Sequence, residues 1–432
     1  MKLGVSNKFF YYTRTGAGSF MMNPHIVFKE DLNLDAFKDA ANKAISYYPE
    51  LGAGTVIKNG IPEAEENNEP VAFFPDGSDL YAIGSDEVNG HLFCFRYGKD
   101  YIKASMYHGM MDYKGLMTYL RTVLFLYAKN IGADGESIDE ENIVKEIRLS
   151  KDDIPDSDPE DMWDPYSRFA DPDAVCSYEY DWPEAVGIKA PMYDQDNDTV
   201  HHYLIEFDKN EFIKKTKELG VSFVPLLVDT ISGAVLKKYG EGDLPVVAMV
   251  PADFRPLFGS NTLVNFSDGM LFAYYPKYKE MSVTERCALF KDYLIKQRTK
   301  ENFGKILAGK AADVRNFEKT DIMAPKKESG NAPAPVRRIT YALTYPGNLD
   351  FGYGLDEIIK DQLLDVYVAA FATIVYTYKD RMRILVLLKS DDPGFPDCVA
   401  EGFRQIVSNV TYEDKGLYRT DKVELDKLRS DK

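Results

Sequence analysis

The stretch that most limits how this chain can fold lies near its middle. Residues 152–198 hold fifteen acidic side chains against only Arg168 and Lys189, together with Pro155, Pro159, Pro165, Pro172, Pro183 and Pro191. That stretch alone carries −13 of the net charge of −17. Crowded carboxylates and prolines bury little and interrupt both helix and sheet. The segment therefore reads as a solvated, irregular crossing between two halves, rather than as a cation site or a dock for a basic partner. Two halves also suit the length, since 432 residues exceed what one core usually organises. The expected division is 1–150 for a first lobe, 151–199 for the crossing and 200–432 for a second lobe.

Each half opens with strand-like and helical patterns. In the first, Phe9 to Tyr12 and Ile26-Val27-Phe28 read as strands around a Gly-rich turn at 15–19. Residues 31–48 form a helix, with Leu34, Phe37, Ala41, Ala44, Ile45 and Tyr48 at helical spacing, Asn33 or Asp31 as cap and Pro49 as stop. Short strands follow over 55–97, then an alternating strand over 101–106 and a helix over 115–126. In the second half, 201–207 alternates as a strand. A helix over 209–219 ends at Gly220, and Ser222 opens a strongly apolar helix over 224–239. Strands are expected at 244–250, 339–344, 369–378 and 383–389, with helices at 283–300, 302–310 and 396–409. The fold class is α/β with mixed strands.

Charge excludes several functions. A strongly acidic chain lacks the basic surface that nucleic acid or an anionic membrane requires. No apolar run approaches membrane-spanning length, so no membrane insertion is expected. The first residues lack a signal-peptide pattern, and Cys94, Cys176, Cys287 and Cys398 are scattered without metal-ligand spacing. A cytoplasmic protein with free thiols and no metal is expected.

The five histidines are few enough to weigh singly. His201 and His202 are adjacent on a strand and point to opposite faces, so at most one can face a cleft; the pair reads as structural. His108 is different. Tyr107-His108-Gly109-Met110-Met111-Asp112-Tyr113-Lys114-Gly115 lies between a strand and a helix, a junction that aims side chains into a cleft from a rigid base. A histidine there can serve as a general base near neutral pH. Asp112 can be a second catalytic group on the imidazole, or it can fold away and lock the loop against an arginine. The residues alone leave both open. Arg255, flanked by a strand and a proline, sits where a fixed cation can reach across the fold.

Those phrases, taken together, resemble an acyltransferase superfamily. It groups chloramphenicol acetyltransferase, nonribosomal-peptide condensation domains, alcohol acetyltransferases and the plant BAHD enzymes. Tyr47-Tyr48-Pro49-Glu50-Leu51 is similar to the end of its opening helix. Tyr107 to Tyr113 is similar to its His-His-x3-Asp-Gly signature. Gly220-Val221-Ser222, Val250 to Pro256 with Asn265-Phe266, and Tyr345 to Leu349 are similar to later phrases. Asp350-Phe351-Gly352-Tyr353-Gly354 resembles the Asp-Phe-Gly-Trp-Gly phrase of the BAHD branch.

The resemblance implies two chloramphenicol-acetyltransferase-like lobes with a tunnel between them. It implies transfer of an acyl group from a thioester, acyl-CoA as co-substrate, to a small-molecule acceptor, a hydroxyl in preference to an amine. His108 matches the general base, Asp112 the structural aspartate and Arg255 its partner. Tyr107 replaces the first histidine and Tyr113 the motif's glycine. These two and Asn265 are candidates for lining the tunnel or holding an oxyanion. The loop cluster Lys305, Lys310, Lys326, Lys327, Arg337 and Arg338 is the basic patch available to coenzyme A, or simply a solvated loop. The alternatives are a non-catalytic binding or scaffold protein, which the altered motif favours, and a carrier-protein-dependent condensation enzyme, which the acidic surface disfavours.

Overall fold

The computed structural model describes residues 3–13, 20–133, 137–154, 159–170, 182–188, 199–319, 338–367 and 371–430. Two sheets organise them. The first has five strands in the order Ile359–Tyr367, Met21–Phe28, Tyr101–Tyr107, Phe93–Tyr97, Phe73–Pro75. Side chains alternate across it. One face carries Ile26, Phe28, Phe93, Phe95 and Ile102 into a core shared with the helices Leu34–Ile45 and Tyr113–Asn130. There Phe37 meets Phe28 and Phe95 edge to face, an arrangement aromatic rings prefer. The other face bears Asn23, His25, Lys103 and Ser105 and looks toward His202 and Leu385 of the second sheet.

The second sheet has seven strands: Ser267–Tyr274, Val246–Asp253, Tyr341–Asn348, Phe371–Tyr378, Arg381–Leu388, Val200–Asp208, Thr411–Tyr418. Phe207, Val250, Val375, Ile384 and Val386 pack with the helices Phe223–Tyr239, Val283–Gln297 and Gly394–Arg404 in a second core. Leu204, Ile374, Tyr376, Leu385 and Leu387 point the other way and join the first core. The two halves are therefore sewn together. The strand Ile359–Tyr367 comes from the second half yet pairs antiparallel with Met21–Phe28. Near the end of the chain, Lys422–Val423 pairs with Ala82–Ile83, and Arg429–Ser430 pairs with Val56–Ile57.

Several local expectations match the elements. Asn33 caps the Leu34 helix by accepting from the Ala36 amide, and Gly220 ends Lys209–Leu219 in the left-handed conformation. Asn59-Gly60, both at positive φ, closes the hairpin between Gly54–Lys58 and Ile61–Glu65.

Others do not. Val5–Thr13 is a helix, not a strand. Its aromatic run has strand propensity, but packing decides: Tyr11 lies on Tyr107 at 4.9 Å and Tyr12 stacks on Phe317 at 5.4 Å. The strands Ile359–Tyr367 and Thr411–Tyr418 were not expected, because their polar residues blur the alternation.

The acidic crossing is not uniformly irregular, since Pro159–Trp163 and Pro165–Phe169 are short helices. Asp164 caps the second and also accepts from the Val5 amide at 2.9 Å. The Gly-rich turn at 15–19, Cys176, Lys326, Lys327 and Arg337 lie outside the described residues. Among the described residues no single helix is long and apolar enough to cross a membrane.

Candidate active site

The strand Tyr101–Tyr107 ends directly before His108, and the helix Tyr113–Asn130 begins directly after Asp112. The intervening turn is pinned at both ends. The His108 amide donates to the Phe20 carbonyl at 2.7 Å, and the Met110 amide to the Tyr107 carbonyl at 3.0 Å. Across the turn, the Asn265 amide donates to the Met110 carbonyl at 3.2 Å, and Met111 forms an antiparallel bridge with Val264. The turn is thus a short piece of sheet with the segment that follows Arg255.

Asp112 is buried and fully engaged. It caps its helix, accepting from the Lys114 amide at 3.1 Å and the Gly115 amide at 3.4 Å. The Phe266 amide donates to it at 3.0 Å. Arg255 grips it with two nitrogens, at 2.9 and 3.0 Å. The same guanidinium donates to the carbonyls of Thr262 at 2.7 Å and Val264 at 2.8 Å, and to Asp253 at 2.9 Å. Burial by itself lowers the pKa of this guanidinium, but Asp112 and Asp253 outweigh it and raise the value above the ordinary arginine range. A two-pronged arginine–carboxylate pair is directional as well as strong.

Gly115 supplies the glycine that the motif lacks at Tyr113. A Cβ at this position would overlap the Leu263 carbonyl oxygen. The close backbone approach occurs at Gly115, two residues after Tyr113. Tyr113 opens the helix, and its hydroxyl donates to the Asn348 carbonyl at 2.7 Å. Tyr107 is buried, stacked on Tyr11.

His108 is half-buried, with its ring stacked against Phe10 at 5.6 Å. Its Nδ1 lies 2.9 Å from the Met111 carbonyl. A carbonyl only accepts, so Nδ1 carries the hydrogen and Nε2 keeps its lone pair. Burial lowers the imidazole pKa below the ordinary value; the Met111 carbonyl and Asp112 oppose this, and Lys310 adds to it. Neutral histidine with a free Nε2 is the form a general base needs.

Asn265 supports this histidine: its Nδ2 donates to the His108 carbonyl at 2.9 Å, and its Oδ1 accepts from the amide and hydroxyl of Ser267 at 3.3 and 3.1 Å. Lys310, absent from the motif, pairs with Asp268 at 2.7 Å and sits over the Phe9 ring at 4.6 Å and the Phe10 ring at 5.8 Å. The described members of the basic cluster are thus committed elsewhere. Lys305 pairs with Glu301 at 2.9 Å, and Arg338 donates to the Trp182 and Pro183 carbonyls, each at 2.6 Å.

Phe10 and the Met111 carbonyl lay beyond reach of the sequence pattern, and Lys310 was read only as part of the basic cluster, not as a neighbour of His108. Phe10 and Lys310 join the site from helices about a hundred and two hundred residues away, and a carbonyl leaves no mark in side-chain identity.

No protein-family model matches the chain, and no curated protein matches it. Solved structures do. TRI101 of F. sporotrichioides, determined with coenzyme A and T-2, aligns at a TM-score of 0.59 and 9% identity over 95% of this chain and 99% of its own. TRI3 trichothecene 15-O-acetyltransferase from Fusarium sporotrichioides aligns at 0.59 and 10% identity, over 93% and 94%. The epimerization domain of the third module of tyrocidine synthetase B aligns at 0.57 and 11%, over 94% and 95%. Over 93–95% of its length, the chain shares the fold of these solved structures.

Proposed function

We propose that the protein is an acyltransferase with His108 as its general base. It moves an acyl group from a thioester, acyl-CoA, to a small-molecule hydroxyl and less readily to an amine. The observation that carries this reading is the 2.9 Å contact of His108 Nδ1 with the Met111 carbonyl, which leaves Nε2 free to take a proton. The acceptor O–H gives its proton to Nε2 as its oxygen attacks the thioester carbonyl carbon. The C–O bond forms, the tetrahedral intermediate collapses, and the C–S bond breaks. The departing thiolate takes the proton back from the imidazolium, restoring neutral histidine.

Asp112 and Arg255 serve as the lock that holds the turn. Every contact Asp112 makes is structural, so it has no free oxygen to share with the imidazole. Asn265 uses one amide hydrogen on His108, and the second is available to an oxyanion. The solved relatives lend support as well: TRI101 was crystallised with coenzyme A, and TRI3 is described as an acetyltransferase.

A thiol-release assay with acetyl-CoA and longer acyl-CoAs, against a panel of alcohols and amines, tests the reading. Acceptor-dependent release should fall about 10²- to 10⁴-fold in His108→Ala, with an unchanged circular dichroism spectrum. Equal release by the two folded proteins across the panel would overturn it.

A further inference from the structure

A second polar chamber lies between the two sheets, away from His108. It measures about 210 Å³, and neither His108 nor Asp112 lines it. That volume exceeds the needs of a single bridging water many times over. Its floor is the exposed face of the first sheet, from which Asn23, His25, Lys103, Ser105 and Asp365 project. Its roof is the edge of the second sheet, with His202, Lys415 and Tyr418.

The charge is unusual for this molecule. Arg96, Lys103, Lys415 and Arg419 line the chamber against Asp76, Asp365 and Asp421. A chain of net charge −17 thus encloses a space where cations outnumber carboxylates.

Most polar groups around this space are occupied, but not all. Asp421 is neutralised by Arg96 at 2.6 Å, and Asn23 bridges Asp365 and Thr420. Lys103 donates to Asp76 at 2.7 Å and Lys415 to Glu413 at 3.0 Å, which uses one of the three hydrogens of each. His25 Nε2 is buried, and among the described residues it has no hydrogen-bond partner. His25 and Lys103 are register partners on neighbouring strands and project from the same face. His202 stacks on Tyr418 at 4.2 Å and reaches Tyr367 Oη at 2.8 Å, with an Asp365 oxygen 3.9 Å away. We propose that this chamber is a second binding site, which takes a small carboxylate or sulfate-like anion between His25, Lys103 and Lys415.

The titration of the walls fits such an occupant. Burial first, then Lys103 and Lys415, hold His25 down at about 4, while Asp76 and Asp361 pull the other way; the Tyr101 ring lies against it at 5.1 Å. An anion offsets both the burial and the lysines, so His25 takes up a proton as the ligand enters. Burial lifts Asp365 to about 7, so below that pH it mostly holds a proton and can donate.

The test is calorimetry with two probes that stay fully ionised between about pH 6 and pH 8, sulfate and oxalate, with glycerol as the neutral control. One saturable site is expected for at least one anion. Its affinity should fall by up to about tenfold per pH unit as pH rises, with a heat that depends on the buffer and reports proton uptake. His25→Gln, which keeps a polar side chain, should reduce the pH dependence to the part that Asp365 contributes, and Lys103→Met should weaken binding at least tenfold. If Lys103→Met does not fold, His25→Gln and the buffer dependence decide alone. Three results would overturn the proposal: no saturation by either anion at pH 6, binding by glycerol instead, or anion binding indifferent to pH and to these substitutions.

Discussion

At the scale of single residues, Asp112 and Arg255 decide whether the site exists. Both are buried, and five donors converge on Asp112. Removing one partner strands the other charge away from water, at a cost of about 3–5 kcal/mol. Asp112→Ala and Arg255→Ala should each lower the unfolding free energy measured in urea by that much and lose activity in step. Retained stability with lost activity would instead make Asp112 a chemical participant. His108 predicts a pH profile. Because burial depresses its pKa, the base form persists through neutrality. The acid limb of kcat/KM should therefore lie below the ordinary imidazole value of about 6.5. A limb at or above that value would point to a different titrating group. His108 and Asp112 were legible in the sequence because their types and spacing are local to one junction, whereas Arg255, 143 residues from Asp112, became its partner only through the resemblance. The tautomer of His108 was not legible, since a backbone carbonyl dictates it.

At the scale of elements, the turn is a hinge between a strand and a helix, and Gly115 sets how closely the helix approaches its neighbour. A Cβ there would strike backbone rather than a movable side chain. Gly115→Ala should therefore cost about 1–3 kcal/mol despite the better helix propensity of alanine. It should also slow the reaction by shifting the Leu263 segment on which Asn265 and the turn depend. A thermal melt and a rate measurement on the same sample check both effects; a stabilised, fully active variant would mean the helix has room to move.

Helices with long amphipathic patterns, such as Leu34–Ile45, were readable because periodicity survives without tertiary context. Val5–Thr13 was not, being only nine residues of mixed propensity held by contacts with Tyr107, Phe317 and Asp164. Ile359–Tyr367 was missed for a related reason. Its Gln362 is buried and its Asp365 half-buried, and both positions follow from insertion into a sheet built by the other half.

At the scale of the whole molecule, the second half lends strands to the first, and the second sheet contributes side chains to both cores. Asp421 shows how tightly the end of the described chain is tied to the first half. It is fully buried and accepts from Arg96 at 2.9 and 2.6 Å, from Ser105 at 2.9 Å and from the Tyr81 amide at 2.8 Å. Unfolding should therefore be one cooperative transition, monitored alike by near- and far-ultraviolet circular dichroism, although the chain is long enough for two. Two separable transitions would mean that the shared strands contribute little.

The pH dependence of that transition follows from the buried ionisable groups. Burial holds His25 at about 4 and His202 at about 3, and it also lowers His91 and His108. In the unfolded chain all four titrate near about 6.5. Below that value the unfolded state binds the extra protons, so these groups make stability fall as pH drops toward their folded values. Asp365 acts oppositely. Its folded value of about 7 means the native state holds a proton that the unfolded state releases above the ordinary aspartate value, so its contribution is lost as pH rises toward neutrality. His25 and His202 drive the rise between about pH 5 and 6.5, at up to roughly 1.4 kcal/mol per pH unit for each net proton. Asp365 and the carboxyls of Glu50, Asp229 and Asp356, also raised by burial, oppose it. The midpoint should climb across that window and then level or dip slightly near pH 7. His25→Gln should flatten the climb by removing one of the four. A wild-type midpoint that does not rise across the window would show that the unfolded state does not gain these protons, and that the histidines are not held neutral in the folded interior.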